Sequence, residues 1–164
     1  MLEGGEDPLF IARRLVVMAS EDISLADPTA MMVAGEAARA FERLGEPEGL
    51  IPLAQAVVHL ATAPKSNASY VGLKRARAAA RETGSLMPPK HILNAPTAMM
   101  KEQGYGDGYE YDHDSDGSFS GQCYFPDGMN RAEFYTPKGL GREKPIAERL
   151  ANWRAIRNSK GNEK

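Results

Sequence analysis

The sequence contains little cysteine, histidine or tryptophan: one Cys, three His and one Trp in 164 residues. A single cysteine, Cys123, excludes an intramolecular disulfide and is typical of a reducing compartment, so we expect a cytoplasmic protein. No apolar run approaches the roughly 20 residues that cross a membrane, and the acidic start from Met1 to Asp7 is unlike a signal peptide. We therefore expect neither a membrane protein nor an exported one.

Signatures of common catalytic sites are also missing. The sequence has no Cys-x-x-Cys and no His-Glu-x-x-His, and the string from Gly117 to Gly121 has Phe119 where a serine hydrolase would have its nucleophile. Lys65-Ser66 lacks the preceding glycines of a phosphate-binding loop. We therefore predict no catalytic residue and no cofactor-binding residue in this chain.

One short string is typical of a metal site. Residues 112–117, Asp-His-Asp-Ser-Asp-Gly, match the first half of a calcium loop. The twelfth position is Cys123 instead of the bidentate glutamate, so a solvated turn explains the string better than a calcium site does. His59, His91 and His113 lie in different predicted elements, and we predict no metal ligand among them.

What the sequence does contain is the composition of a globular domain, with 42% hydrophobic and 26% charged residues and a net charge of -2. Asp7-Pro8 and Asp27-Pro28 each place an N-cap before a proline at the first helical position. Apolar residues at helical spacing, interrupted by Gly and Pro, predict helices over residues 8–20, 28–44, 52–63, 68–83, 97–103 and 145–157.

The third predicted helix, residues 52–63, is rich in apolar residues. We assign Gln55, His59 and Thr62 to its solvent face. The residues assigned to its buried face are Leu53, Ala54, Val57, Leu60 and Ala61.

Residues 105–135 differ from the helical part, because they hold eight of the twelve aromatic residues, interleaved with Gly and Asp. This composition predicts a small β-hairpin that turns near Asp116-Gly117, or an irregular insertion. The predicted fold is thus mainly α, a helical bundle or collar-type domain that carries this insertion. We predict one domain over residues 1–157, followed by a polar tail at residues 158–164.

Basic residues form a stripe on the fourth predicted helix. Lys74, Arg77 and Arg81 recur at spacings of three and four residues, which places them on one side of a helix. Such a stripe can contact the phosphates of a nucleic acid, and a solvated helix face has the same pattern. The stripe therefore supports a DNA-binding hypothesis without deciding it.

Several strings, in their order along the chain, resemble the bacterial replication-associated recombination protein A family, also called RarA or MgsA. They cover nearly the whole chain as far as about Arg157. The strings are Glu3 to Pro8, Ile11 to Leu15, Ser20 to Ile23, Leu53 to Ala56, Ala61 to Ala68, Tyr111 to Asp114, Gln122 to Pro126, Phe134 to Pro137, Gly141 to Glu143 and Glu148 to Leu150.

The resemblance implies a role that composition does not indicate. Members of the family are DNA-dependent AAA+ ATPases similar to clamp-loader subunits, thought to act in recombination and repair at stalled replication forks. Their C-terminal part is a helical domain that assembles a homotetramer. The nucleotide-binding modules are absent here, so the resemblance implies a C-terminal fragment, with Met1 an internal methionine or an added start. It implies ATP and Mg only for the missing modules, and no enzymatic activity for this chain.

The leading hypothesis is therefore a tetramerisation domain of a nucleoid-associated ATPase. Its partners would be further copies of itself and, through the larger protein, single-stranded or forked DNA; a single-strand-binding protein or other replication factors are further candidates. The alternative is a non-specific DNA-binding module that uses Lys74, Arg77 and Arg81. A metal-dependent enzyme rests only on the Asp-rich turn. The predicted subunit interface consists of large apolar residues in excess of one small core: Met31, Met32, Met99, Met100, Phe125 and Phe134.

Overall fold

A computed structural model describes residues 1–161, except for the side chain of Asp116. It confirms the mainly α prediction. Within this part of the chain there are six α-helices: α1 Pro8–Met18, α2 Thr29–Leu44, α3 Leu50–Thr62, α4 Ala68–Thr83, α5 Ala98–Glu102 and α6 Glu143–Gly161. None of the helices among residues 1–161 combines the length and the apolar character that a membrane span requires.

The chain divides into two compact units. The first unit consists of Met1–Arg75 together with Phe134–Glu148, and the second consists of Ala76–Glu133 together with Arg149–Lys164. Both units are therefore built from two separate stretches of sequence. The single domain over residues 1–157 stays a prediction.

Alanine dominates the core of the first unit. Six of its ten buried apolar residues are alanines, and small side chains let helices approach one another closely. Ile23 and Leu60 are the largest apolar side chains that are fully buried. The core residues come from α1, α2, α3 and the turn after α1: Ala12, Leu15, Ala19, Ile23, Ala30, Ala34, Ala37, Leu53, Ala56 and Leu60.

The first predicted helix start is confirmed, and the second is displaced by one residue, because Pro28 occupies the N-cap position and α2 begins at Thr29. The Asp7 carboxylate accepts a hydrogen bond from the backbone N–H of Leu9 at 2.9 Å, at the start of α1. Asp27 does the same for Thr29 at 3.0 Å, at the start of α2. The hydroxyl of Thr29 also donates to Asp27, which lowers the pKa of that carboxyl, and His59 lies 2.9 Å from its second oxygen. Asp27 thus links the start of α2 to α3.

The predicted buried face of α3 is partly wrong. Leu53 and Leu60 are buried as predicted, and Ala56, which was not assigned to that face, is buried with them. Ala54, Val57 and Ala61 are exposed. The reason is that α3 is apolar around most of its circumference, so hydrophobic periodicity does not determine which side meets α1 and α2.

The β-hairpin predicted in residues 105–135 is also wrong, because the described part of this segment contains no strand. Its irregular-insertion alternative is confirmed. Glycines with positive φ, among them Gly106 and Gly121, bend the backbone away from an extended course. Side chains replace a strand ladder: Asp112 accepts from the N–H of Ser120, and Gln122 donates to the carbonyl of Gly108.

The last helix is longer than predicted. It begins at Glu143, near the Lys144-Pro145 signal, and it continues through Asn158 to Gly161. The predicted polar tail at residues 158–164 therefore starts within the helix. Its last residues, 162–164, lie outside the described part of the chain.

Candidate functional site

A buried carboxylate organises the first unit. Glu143, the first residue of α6, has no exposed surface. Its Oε1 accepts hydrogen bonds from the hydroxyls of Ser66 and Tyr135, each at 2.8 Å, and its Oε2 accepts from the backbone N–H of Lys138 at 2.8 Å. A buried carboxylate needs such donors because it has lost its hydration. We call these four residues the Glu143 cluster.

The cluster is held at the start of two helices. Ser66 is also buried; its hydroxyl oxygen accepts from the N–H of Ala68 at 3.2 Å, where α4 begins, and its own N–H donates to the carbonyl of Asp22 at 2.7 Å. Burial, together with the hydrogen bond to Glu143, raises the pKa of Tyr135. The phenol therefore keeps its proton and remains a donor. The arrangement joins α4, α6 and the segment between residues 134 and 143.

The backbone comes unusually close to its neighbours beside this cluster. Gly141 has a φ of 51°, and a Cβ placed there would lie 2.2 Å from the carbonyl oxygen of Ala26. The same carbonyl accepts a hydrogen bond from the N–H of Arg142 at 2.8 Å. On α4, a Cβ at Gly72 would lie 3.3 Å from the carbonyl oxygen of Phe134. Gly72 and Gly141 thus allow the segment between residues 134 and 143 to lie close to α4 and to Ala26.

The Glu143 cluster has the features of a structural site. All three partners donate to the carboxylate, and within residues 1–161 no cation forms an ion pair with it. Sequence reasoning missed the cluster, although Ser66, Tyr135 and Glu143 each lie in a string that carries the family resemblance. The sequence signal for the cluster was the acidic residue of Gly141-Arg142-Glu143, which lies at the start of α6.

The predicted interface residues are distributed over both units. Met31 and Met32 on α2 belong to the first unit and are 57% and 69% exposed. Met99 on α5, in the second unit, is 61% exposed, and Met100 is half-buried. Phe125 and Phe134 are half-buried and interact within the chain. Three of the six predicted interface residues, Met31, Met32 and Met99, are therefore exposed.

Sequence reasoning missed a second apolar surface, on α3. Ile51 is 70% exposed and Val58 is 63% exposed. Ala54 and Ala61 are exposed as well, and the four residues recur at spacings of three, four and three. They form one stripe of the helix, opposite the buried Leu53, Ala56 and Leu60. We call Ile51, Ala54, Val58 and Ala61 the α3 outer face.

The predicted DNA-binding residues all lie on α4 and are all exposed. The ammonium of Lys74 lies 4.4 Å from the centre of the Tyr70 ring, and its interaction with that phenol raises the pKa of Lys74. Arg77 and Arg81 take part in no ion pair within the described residues. The stripe is therefore accessible to a ligand.

The described residues of the Asp-rich string, which exclude the side chain of Asp116, do not form a metal site. Asp112 is occupied as an acceptor: hydrogen bonding from Ser120 lowers its pKa. Among the described residues, no group of three His, Cys, Asp or Glu side chains is placed to hold a metal ion. His59 pairs with Asp27, and the rings of His113 and Tyr111 lie 5.0 Å apart.

The fold and these surfaces define a helical protein with a structural polar cluster and exposed apolar and basic faces. Residues 1–154 match the family described as MgsA AAA+ ATPase C terminal, and the chain belongs to this family. The match confirms the resemblance inferred from the sequence.

Three relatives are called Replication-associated recombination protein A. That of Escherichia coli K12 is 47% identical over 152 residues, which are 92% of this chain and 34% of the relative. That of Coxiella burnetii is 46% identical over 157 residues, 95% of this chain and 36% of the relative. That of Bacillus subtilis is 39% identical over 142 residues, which are 87% of this chain and 34% of the relative. The chain spans about a third of the length of these relatives.

Proposed function

We propose that this chain is the tetramerisation domain of a DNA-dependent AAA+ ATPase that acts in recombination and repair at stalled replication forks. The family match supports the AAA+ part of the proposal, and the name of the relatives supports the role in recombination. The observation that carries tetramerisation is the α3 outer face together with Met31 and Met32.

The exposed apolar side chains can supply the free energy of association. Burying an exposed Ile, Val or Met side chain contributes roughly 1.5–3 kcal/mol. Because these side chains are already partly covered, Ile51, Val58, Met31 and Met32 together would contribute about 4–8 kcal/mol per subunit, which is of the order of the cost of association. Closed symmetry then requires each copy to use the same surfaces.

ATP and Mg²⁺ belong, in this proposal, to the part of the ATPase that this chain does not span. The chain itself would neither bind nor hydrolyse ATP, because it has no glycine-rich loop to surround the phosphates with N–H donors. Its contribution is to fix how four ATPase modules are arranged.

Light scattering at micromolar concentration and moderate salt tests the assembly. We expect the mass of a tetramer for the unchanged chain, and about a quarter of that mass for the double variant Ile51→Glu, Val58→Glu. Carboxylates at these positions would have to be buried without partners, which opposes association. The double variant Met31→Glu, Met32→Glu tests the α2 surface in the same way.

Leu44→Glu is the matched control, because Leu44 is 57% exposed at the end of α2 and belongs to neither surface. We expect it to keep the tetramer mass. A monomer mass for the unchanged chain would refute tetramerisation by this domain. A full mass for both double variants would refute the two proposed surfaces.

The second candidate function is non-specific DNA binding by the α4 stripe. The observation that favours it is the exposure of Lys74, Arg77 and Arg81 on one helix. Three or four phosphate contacts give weak binding, and the logarithm of the binding constant falls with the logarithm of the salt concentration at a slope of roughly -2 to -4. Four copies on one tetramer could raise the apparent affinity by about two orders of magnitude through avidity.

Replacing all three stripe residues with glutamate tests this function. We expect the triple variant to lose measurable binding to forked DNA in fluorescence anisotropy, because three attractive contacts become repulsive. The solution mass should not change. Equal binding by the triple variant and the unchanged chain would identify the stripe as a solvated helix face.

A further inference from the structure

The first six residues have the hydrogen-bond pattern of a helix end. The N–H of Glu6 donates to the carbonyl of Met1 at 3.2 Å, and the N–H of Gly5 donates to that of Leu2 at 2.9 Å. Gly5 has a φ of 81° and a ψ of 17°, the left-handed conformation that follows many helices. These three features together are the Schellman motif, which satisfies the last carbonyls of an α-helix.

The turn formed by these residues makes its hydrogen bonds within itself. All seven residues from Met1 to Asp7 are exposed, and the backbone hydrogen bonds of the turn join residues 1–6 to one another. A single helical turn is unstable in water, because its nucleation fixes several residues for one hydrogen bond. A cap of this kind is therefore explained by helical residues that come before it in a longer protein.

The connection from this cap to α1 is short. Glu6 is the one residue between Gly5 and Asp7, and the Asp7 carboxylate accepts from the N–H of Leu9 as the N-cap of α1. Connections of about two to five residues join antiparallel helices in αα-hairpins. A helix that ends at Gly5 is thus directed back along α1.

The side of α1 that faces away from the core carries apolar residues. Ala12 and Leu15 are buried, and on the opposite side Phe10 is 40% exposed and Val17 is half-buried. Four residues on this side recur at spacings of three, one and three, which places them on one helix face. We call this set the α1 outer face: Phe10, Arg13, Arg14 and Val17.

We propose that, in the longer ATPase, the segment immediately preceding residue 1 is an amphipathic helix that ends at the Gly5 cap and packs antiparallel on the α1 outer face. The inference rests on the proposed function, in which the ATPase part precedes this chain; the description of the family as a C-terminal part supports that order. Because α1 has 11 residues, a helix of similar length, roughly 16 Å, covers it. Packed helices, in place of a flexible linker, then join the ATPase part to the first unit.

Protection of a cysteine on the α1 outer face tests the docking. Arg14→Cys is introduced, together with Cys123→Ser, into the 164-residue chain and into the longer ATPase, and the rate of its reaction with N-ethylmaleimide is measured in both. We expect the rate in the longer protein to be at least about tenfold lower, because a packed helix excludes the reagent until it opens locally. Arg43→Cys replaces an exposed arginine on α2 and is the matched control, expected to react equally fast in both proteins.

Two glycine variants of the longer protein test the cap itself. Gly5→Ala places a side chain in the left-handed region, so the incoming helix loses part of its termination and opens more often. We expect the reaction of Arg14→Cys to become about fivefold faster or more. Gly4→Ala is the control, because the φ of Gly4 lies outside that region and a Cβ there meets nothing within 4 Å. It should leave the rate unchanged.

Three outcomes would overturn the proposal. The first is an equal rate for Arg14→Cys in the two proteins. The second is a rate in the 164-residue chain already about tenfold below that of Arg43→Cys, which would assign the α1 outer face to a second copy of the chain. The third is an equal effect of Gly5→Ala and Gly4→Ala. The solution mass, measured in parallel, reports tetramerisation separately, so a monomer mass refutes the proposed function and leaves the protection result readable.

Discussion

Replacing Glu143 with alanine is expected to lower the free energy of unfolding by about 3–6 kcal/mol. The substitution leaves the buried hydroxyl of Ser66 without its acceptor, together with two part-buried donors, the hydroxyl of Tyr135 and the N–H of Lys138. Each buried donor that loses its partner costs about 1–3 kcal/mol, and partial relaxation recovers some of this. Urea denaturation followed by circular dichroism measures the loss.

Two further variants make this result interpretable. Tyr135→Phe removes one donor and keeps the carboxylate, so we expect a smaller loss of about 1–2 kcal/mol. Glu148→Ala removes an exposed carboxylate from the same helix and should change stability by less than about 0.5 kcal/mol. If Glu143→Ala cost no more than Glu148→Ala, the cluster would contribute nothing to the fold.

Replacing Gly141 with alanine is expected to cost about 2–5 kcal/mol. The new Cβ would lie 2.2 Å from the carbonyl oxygen of Ala26 and 2.7 Å from the Cγ of Pro64, so the backbone must move. The movement weakens the hydrogen bond from the N–H of Arg142 to the carbonyl of Ala26, which costs about 1–3 kcal/mol. A residue with a side chain at this positive φ costs about 1–2 kcal/mol more.

Gly139 provides the control, because its φ is also positive, at 73°, and a Cβ there would meet nothing within 4 Å. Gly139→Ala should therefore cost only the conformational part, about 1–2 kcal/mol. The difference between the two variants in thermal unfolding isolates the close approach to Ala26. Equal losses would contradict this explanation.

The sequence allowed prediction of the elements that depend on local chemistry. Asp7-Pro8 starts α1 where it was expected to, and Asp27-Pro28 starts α2 within one residue of the expected position, because an N-cap acts on N–H groups only two residues away. The orientation of α3 could not be predicted in the same way. Its apolar residues surround most of the helix, and only packing against α1 and α2 selects the side that Leu53, Ala56 and Leu60 share.

The candidate sites were harder to predict, for two physical reasons. The Glu143 cluster joins residues 77 positions apart, and no local pattern reports such a contact. The irregular segment within residues 105–135 was as hard to predict, because side chains such as Gln122 form hydrogen bonds there in place of a strand ladder. The basic stripe was predictable because Lys74, Arg77 and Arg81 lie on one helix, where spacing determines the face.

The discontinuous first unit also constrains how the chain folds during synthesis. Ser66 must wait for Glu143, and closing a loop of 77 residues costs roughly 4 kcal/mol of chain entropy. Most other contacts in a helical protein are local and form quickly. On the ribosome, Met1–Arg75 emerges before the rest of this chain and lacks its buried acceptor until the whole of Ala76–Glu133 has followed. The first stretch of the second unit, Ala76–Glu133, therefore has time to collapse before the first unit can be completed, and the second unit is itself completed last, by the stretch that begins at Arg149.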